Sequence, residues 1–162
     1  MRGFGNLLQD PPSVLKVREL AVAYKVRGGE IMAVEDVSFD ILQRDACGIV
    51  GESGCGKSTV AWSIVNFLGG NGYIKSGSIK FQGSELTQRD PEELRRLRGS
   101  KIAMVFQDPM QALNPSMRIG RQMKEVFTVH SALSGKEAER RCLEMLERVS
   151  MPDPADVMKR YP

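Results

Sequence analysis

Eight consecutive residues carry the clearest chemistry in this 162-residue chain: Gly-Glu-Ser-Gly-Cys-Gly-Lys-Ser, at positions 51–58. They match the pattern G-x-x-x-x-G-K-[ST], in which glycines let the backbone curl until successive N–H groups point at phosphate oxygens. Lys57 supplies a positive charge for the β- and γ-phosphates, and the hydroxyl of Ser58 is placed to ligate Mg²⁺. The pattern predicts a binding loop for a nucleoside triphosphate. Its predicted ligand-binding residues are Gly51, Glu52, Ser53, Gly54, Cys55, Gly56, Lys57, Ser58 and Thr59, the last at the α-phosphate.

The flanking residues place this loop between a strand and a helix. The apolar run at 47–50 lacks polar alternation, which is typical of a strand buried on both faces. Residues 57–68 repeat apolar side chains at helical spacing, so the helix would begin at the loop and direct the positive end of its dipole at the anion. The alternative interpretation is a glycine-rich turn with a solvated lysine, and the strand–loop–helix context argues against it.

The remaining elements predict an α/β fold. Alternating residues at 14–24 and 31–41, joined by a Gly-Gly turn, indicate an antiparallel hairpin ahead of the loop. Further strands are expected at 78–81 and 101–106, with helix starts at Asp90 and at the capping box of Ser134 and Glu137. The order predicts a P-loop NTPase core with an antiparallel β subdomain in front and the start of an α-helical subdomain behind, incomplete.

Composition excludes several classes of protein. Hydrophobic residues make up 41% and the net charge is only +3, so global disorder and a strongly basic nucleic-acid-binding protein are both disfavoured. The sequence leads us to expect neither a signal peptide nor a membrane-spanning segment, because no continuous apolar run of the required length occurs. Three cysteines without C-x-x-C spacing fit a reducing compartment, with Cys47 and Cys142 expected in the core. A single histidine, His130, forms no histidine-based metal site and is expected to be solvated at a helix end.

Three stretches together resemble the nucleotide-binding domain of ABC transporters: Leu-Ala-Val-Ala-Tyr at 20–24, Ala-Val-Glu-Asp-Val-Ser-Phe at 33–39, and Val-Phe-Gln-Asp-Pro at 105–109. The run from 107 to 115, Gln-Asp-Pro-Met-Gln-Ala-Leu-Asn-Pro, is similar to the oligopeptide, dipeptide and nickel importer ATPases. The resemblance covers residues 14–162, which we expect to be the N-terminal portion of such a domain. Residues 1–13 are expected to form an N-terminal extension.

The resemblance implies roles for residues outside the loop. Tyr24 stands where the family keeps an aromatic ring that stacks on adenine, although a strand tyrosine in the hairpin needs no ligand. Gln107 stands at the position whose side-chain amide reaches Mg²⁺ and the attacking water in the family. The resemblance thus implies two catalytic residues, Lys57 and Gln107. Alternatively, Gln107 simply ends a strand. Met110, Leu113 and Met117 are implied contacts with the transporter's membrane subunits, or are packed locally.

Several family motifs have no counterpart in the sequence. The LSGGQ-type signature, the acidic strand with the catalytic carboxylate and the switch histidine are all missing, and the Leu-Ser-Gly at 133–135 lacks the second glycine. In the family's parallel sheet, the acidic strand lies between the two strands predicted at 47–50 and 101–106. Without it, we expect both segments to leave backbone groups and apolar side chains uncovered.

The sequence therefore predicts an ATP- and Mg²⁺-binding component of an ABC importer for peptides or a related solute, truncated and not competent for hydrolysis alone. Its expected partners are the membrane subunits and a second ATPase subunit, at the cytoplasmic face of the membrane. One alternative is a nucleotide-binding module without turnover. Another is a non-transport ABC ATPase, and a P-loop kinase is weaker because nothing resembles an acceptor lid.

Overall fold

The computed structural model of the chain describes residues 12–131 and 133–162. The chain forms two compact units, which divide between Leu94 and Arg95. Most of the extension predicted at 1–13 lies outside the described residues.

The first unit is built on an antiparallel sheet in the order β2-β1-β3-β4. As predicted, β1 (Ser13–Val26) and β2 (Gly29–Leu42) form a hairpin, and Val26 pairs with Gly29 across a tight turn. β3 (Gly72–Phe81) pairs with the other side of β1, and the short β4 (Ser84–Glu85) extends the sheet. β1 is therefore flanked on both sides, which rules out an edge position in the sheet.

A bulge in β1 changes which residues face the core. Leu15 and Val17 are buried, and the alternation then shifts by one residue, so that Leu20 and Val22 are buried instead. The shift occurs at Glu19, whose φ is +48°, where the register with both neighbouring strands is interrupted. A bulge of this kind lets the strand keep apolar side chains on the core side, although the alternation of buried and exposed positions shifts by one residue.

One helix of the first unit follows the phosphate-loop pattern. α1 spans Lys57–Ile64 and ends before the glycine-rich stretch at 69–72, four residues earlier than the apolar spacing suggests. Its buried residues include Val60 and Ser63, and the helix contacts β2. α2 (Pro91–Leu97) begins as expected, since the Asp90 carboxylate accepts a hydrogen bond from the amide of Glu92 at 2.8 Å.

The segment at 47–50 differs from the prediction. Within the described part of the chain it pairs with no strand, and Val50 is 92% exposed. Cys47 is exposed as well, so its predicted place in the core is wrong. An apolar segment becomes a buried strand only when other strands satisfy its backbone groups and cover its faces, and nothing described here does so.

The second unit is helical. α3 (Ile119–Ser131) and α4 (Gly135–Arg148) pack together, and a short α5 (Pro154–Val157), which the sequence did not reveal, follows. The predicted capping box is present, because the Ser134 hydroxyl accepts from the Glu137 amide while the Glu137 carboxylate accepts from the Ser134 amide. The core of this unit contains Cys142, Leu146 and Met158, which confirms the buried position predicted for Cys142.

The segment at 101–106 also differs from the prediction. Ile102 makes one isolated bridge with Arg98, and the following residues form no strand. Val105 is 91% exposed. Val105 and Val50 are thus both uncovered, as expected for strand-like segments that lack a neighbouring strand.

Candidate nucleotide-binding site

The backbone of the phosphate-loop segment depends on glycine at two positions. Gly54 and Gly56 have φ values of +83° and +93°, in the left-handed region that disfavours other residues. At Gly56 there is also no space for a side chain, because a β-carbon there would lie 2.5 Å from the carbonyl oxygen of Ala33. The loop is thus held close against β2.

The side chain of Lys57 folds back over the loop that precedes it. Its Nζ donates to the carbonyl oxygens of Gly51, at 2.9 Å, and Glu52, at 2.6 Å, and lies 3.7 Å from Sγ of Cys55. The ammonium group is therefore held inside the curve of the loop. A phosphate bound within this curve would meet both the lysine charge and the loop amides.

The first turn of α1 is suited to an anion. Gly56 caps the helix without a side-chain hydrogen bond, and the first turn contains no acidic residue. The positive end of the helix dipole is therefore not offset by a carboxylate within the first turn. Ser58 is exposed, whereas Thr59 is 8% exposed and its carbonyl oxygen accepts from the Ser63 hydroxyl at 2.7 Å.

A cleft of about 490 Å³ lies beside the loop, in the first unit. It is bordered by β2, by the segment at 47–50 and by the start of α1. The residues that line it are Ala33, Val34, Glu35, Val37, Phe39, Cys47, Gly48, Ile49, Val50, Cys55, Gly56, Lys57 and Val60. The cleft thus contains part of the phosphate-loop pattern, and Tyr24 is not among its described lining residues.

Tyr24 lies in β1, opposite Ile31 of β2 and Gly72 of β3. Its ring is partly buried, and its Oη is buried without a hydrogen-bond partner among the described residues. The ring is therefore positioned by packing and strand register. Tyr24 and the loop belong to the same unit.

Gln107 belongs to the second unit, where it is exposed in a bend outside any helix or strand. The next residue, Asp108, caps a 3₁₀ helix (Pro109–Ala112) by accepting from the Met110 amide at 3.1 Å. Of the predicted membrane-subunit contacts, Met110 is exposed and Leu113 and Met117 are partly buried.

The segment that follows is fixed by Gln122, a residue that the sequence analysis missed. Its side chain donates to the carbonyl oxygens of Asn114 and Met117 and accepts from the Asn114 amide, at 2.8–2.9 Å. The only signal in the sequence is a glutamine next to the apolar stripe of α3, a pattern that does not by itself distinguish a solvated side chain from a bonded one.

The second unit carries its own groove, of about 760 Å³, beside α3. Its apolar lining includes Leu113, Met117, Ile119, Met123, Val126 and Val129, with Arg95, Glu125 and His130 also present. His130 is exposed at the end of α3, as predicted. Two of the three predicted contact residues thus line this groove.

The Ser58 hydroxyl, which is exposed, is the oxygen near the loop that the sequence predicts for a metal ion. No group of three or more His, Cys, Asp or Glu side chains suited to a metal ion occurs among residues 12–131 and 133–162. Mg²⁺ takes oxygen ligands and keeps several waters, so a hydroxyl oxygen such as that of Ser58 is of the type that it binds.

Comparisons with known proteins agree with the motif. The chain is 42% identical over 149 residues to a peptide import ATP-binding protein of Brucella abortus. The aligned region covers 92% of this chain and 45% of that protein. It is 41% identical over 154 residues to the oligopeptide transport ATP-binding protein of Escherichia coli, and this alignment covers 95% of this chain and 45% of that protein. The chain therefore spans about 45% of the length of these relatives.

A solved dimeric ATP-binding cassette, in a post-hydrolysis state with ADP and Pi, has the same fold. It aligns with a TM-score of 0.76 at 25% identity and covers 91% of this chain and 61% of that one. This likeness confirms the predicted α/β class. No described helix is long and apolar enough to cross a membrane. The sequence profile of the ABC transporter family matches residues 34–162, so the chain belongs to the ABC transporter family.

Proposed function

We propose that this chain is the ATP-binding part of an importer ATPase subunit and binds ATP with Mg²⁺ at residues 51–59. The observation that carries the proposal is Lys57, whose ammonium lies within the curve of the loop at the start of α1. Positive charge, curled backbone and helix terminus coincide there, which is the arrangement a polyphosphate requires.

Each predicted site residue has a role in this proposal. Lys57 exchanges its bonds to loop carbonyls for the β- and γ-phosphates, and Ser58 offers its hydroxyl to Mg²⁺. The metal ion neutralises charge on the phosphate oxygens. Tyr24 stacks on adenine, and Gln107 orients water and Mg²⁺ during hydrolysis in the complete protein.

The partner proposal rests on the groove of the second unit. An apolar groove beside α3 suits a protein segment better than a small polar solute. The relatives are named for peptide and oligopeptide import. We therefore infer that the complete protein works with membrane subunits and a second ATPase subunit, at the cytoplasmic face of the membrane, to import peptides.

Binding of a fluorescent ATP analogue, with Mg²⁺, to the purified 162-residue chain tests the proposal. Loss of one charge-assisted contact costs about 1.5–3 kcal/mol, so Lys57→Ala should weaken affinity by roughly 10- to 100-fold. Lys80→Ala is the matched control, because Lys80 is an exposed lysine on β3 outside the loop. Equal affinity of the unsubstituted (parent) chain and the Lys57→Ala variant for the ATP analogue would contradict ATP binding at the loop.

We propose further that the 162-residue chain binds ATP without measurable turnover. In the family to which it belongs, each phosphate loop of a dimer faces the signature of the other subunit, and this sequence has no LSGGQ-type signature. A phosphate-release assay should show no rate above background for the parent chain. A rate that Lys57→Ala abolishes would overturn this second part of the proposal and leave ATP binding intact.

A further inference from the structure

Gly72, the first residue of β3, lies opposite Tyr24 in the ladder between β1 and β3. A β-carbon at position 72 would lie 2.7 Å from Cε1 of Tyr24 and 2.8 Å from Cβ of Leu68, and closer still to the carbonyl oxygen of Leu68. Such approaches are shorter than real β-carbons make. The edge of the Tyr24 ring can therefore lie where it does only because position 72 has no side chain.

The ring has no polar anchor. Its Oη is buried without a hydrogen-bond partner among the described residues, so hydrogen bonding does not determine where the ring lies. Packing does, and Leu68, which is 8% exposed, forms part of that packing next to Gly72. A ring held only by packing moves when a neighbouring residue gains volume.

The contact also connects the ring with the phosphate loop along the chain. α1 begins at Lys57, and the segment that leaves α1 passes through Leu68 before it reaches Gly72. Close approaches therefore occur at both ends of this stretch: Gly56 lies against β2 and Gly72 lies against Tyr24. An added side chain at position 72 would meet Tyr24 and Leu68, neither of which belongs to the phosphate loop.

We propose that Gly72 is a positioning residue for Tyr24 and thereby favours ligands that carry an adenine base over bare polyphosphate. The inference rests on the proposed function, in which Tyr24 stacks on adenine. Absence of a side chain at position 72 leaves the ring where a base can stack on it. An added methyl group displaces the ring and removes only the base contribution to affinity.

Calorimetric titration of the Gly72→Ala chain with two ligands, MgATP and inorganic tripolyphosphate with Mg²⁺, separates these contributions. Base–aromatic stacking contributes about 1–3 kcal/mol, so affinity for MgATP should fall by about fivefold or more. Affinity for tripolyphosphate should stay within about twofold, because the loop is unchanged. Equal weakening for both ligands, or unchanged MgATP affinity, would overturn the inference.

Gly70→Ala is the matched control. Gly70 precedes β3 in the same stretch, has nothing within 4 Å of an added β-carbon, and does not occupy the left-handed region. This variant should bind both ligands as the parent does. A loss of MgATP affinity equal to that of Gly72→Ala would show that any added methyl group in the segment has this effect, and would overturn the role of Gly72.

Tyr24→Ala distinguishes failure of the inference from failure of the proposed function. If Tyr24→Ala leaves MgATP affinity unchanged, the adenine role of Tyr24 fails, and the inference fails with it. If Tyr24→Ala weakens MgATP binding and Gly72→Ala does not, only the inference fails. If both weaken it, Gly72→Ala should cause no further loss of MgATP affinity in the Tyr24→Ala chain.

Thermal unfolding provides a second readout, which does not depend on ligand binding by the Gly72→Ala chain. With the ring removed, an added methyl group at position 72 loses one of its three close approaches and keeps the two to Leu68, so Gly72→Ala should lower Tm less in the Tyr24→Ala chain than in the parent. Equal losses of Tm in the two backgrounds would show that position 72 does not act on the ring, and would overturn the proposal.

Discussion

The α-carbon of Gly56 faces the carbonyl oxygen of Ala33 so closely that a β-carbon at position 56 would lie 2.5 Å from that oxygen and 3.1 Å from Cγ2 of Val34. This approach fixes the last residue before α1 against β2. It explains why the phosphate loop and the hairpin behave as parts of one unit, although they are separate in sequence.

Gly56→Ala should destabilise the first unit more than Gly54→Ala does. Both glycines have a left-handed φ, so each substitution carries backbone strain of about 1–2 kcal/mol. Gly54 has nothing within 4 Å of an added β-carbon, whereas position 56 adds a clash that costs about 1–3 kcal/mol more. Urea unfolding of the two variants measures the difference. Similar losses of unfolding free energy would show that the contact with Ala33 contributes little.

Gln122→Ala should release the segment at 114–117. The substitution removes three hydrogen bonds between the side chain of Gln122 and the backbone of Asn114 and Met117: two that Gln122 donates and one that it accepts. The net effect on local opening is about 1–2 kcal/mol. Hydrogen exchange at the Asn114 amide should accelerate roughly 5- to 30-fold, while the hairpin amides remain unchanged. Gln88→Ala, at an exposed position, serves as the control. Unaltered exchange at Asn114 would mean that the backbone turn alone holds the segment.

Glu85 should make the stability of the first unit depend on pH. Burial alone would raise the pKa of this carboxyl, but hydrogen bonds from Ser78, Thr87 and the Ile79 amide outweigh burial and lower the pKa below its ordinary value of 4.5. A lowered folded-state pKa stabilises the protein above the unfolded pKa, and this stabilisation is lost as the pH falls through the folded value.

The difference in urea unfolding free energy between the parent and Glu85→Gln measures this contribution. The difference should be largest at pH 6–7 and should shrink as the pH falls from 4.5 toward 3, because only the parent then gains a proton at position 85. Glu147→Gln, at an exposed position on α4, is the control for a general loss of negative charge. A parent–variant difference that stays constant over this range would refute the prediction.

Val50→Thr combined with Val105→Thr should reduce self-association of the chain. Both valines are more than 90% exposed in segments without strand partners, a combination that promotes association of unpaired strands. Light scattering during gel filtration should show a larger monomer fraction for the double variant. Val149→Thr, which alters a 69% exposed valine beyond the end of α4, should have a smaller effect. A parent chain that elutes as a monomer and melts cooperatively would show that the exposed segments are tolerated.

Local patterns in the sequence predicted much of the architecture. The hairpin, the start of α1 at Lys57 and the capping box of Ser134 and Glu137 all follow from alternation, turn residues and side chains near helix ends. Cys142 was also predicted in the core, since its apolar neighbours recur at helical spacing. The hairpin, the helix start and the capping box depend on contacts between residues close in sequence, so periodicity and residue type suffice to indicate them.

Other features depend on residues distant in sequence. The bulge at Glu19, the approach of Gly72 to Tyr24 and the bonds of Gln122 appear only when strands or loops pack together. The segments at 47–50 and 101–106 have strand-like sequences, but a strand requires partners for its backbone groups. The sequence by itself determined the phosphate-binding pattern and the propensities of the elements. Tertiary structure decided which apolar segments are covered and where the tyrosine ring lies, because both depend on the volume and hydrogen bonds of residues far along the chain.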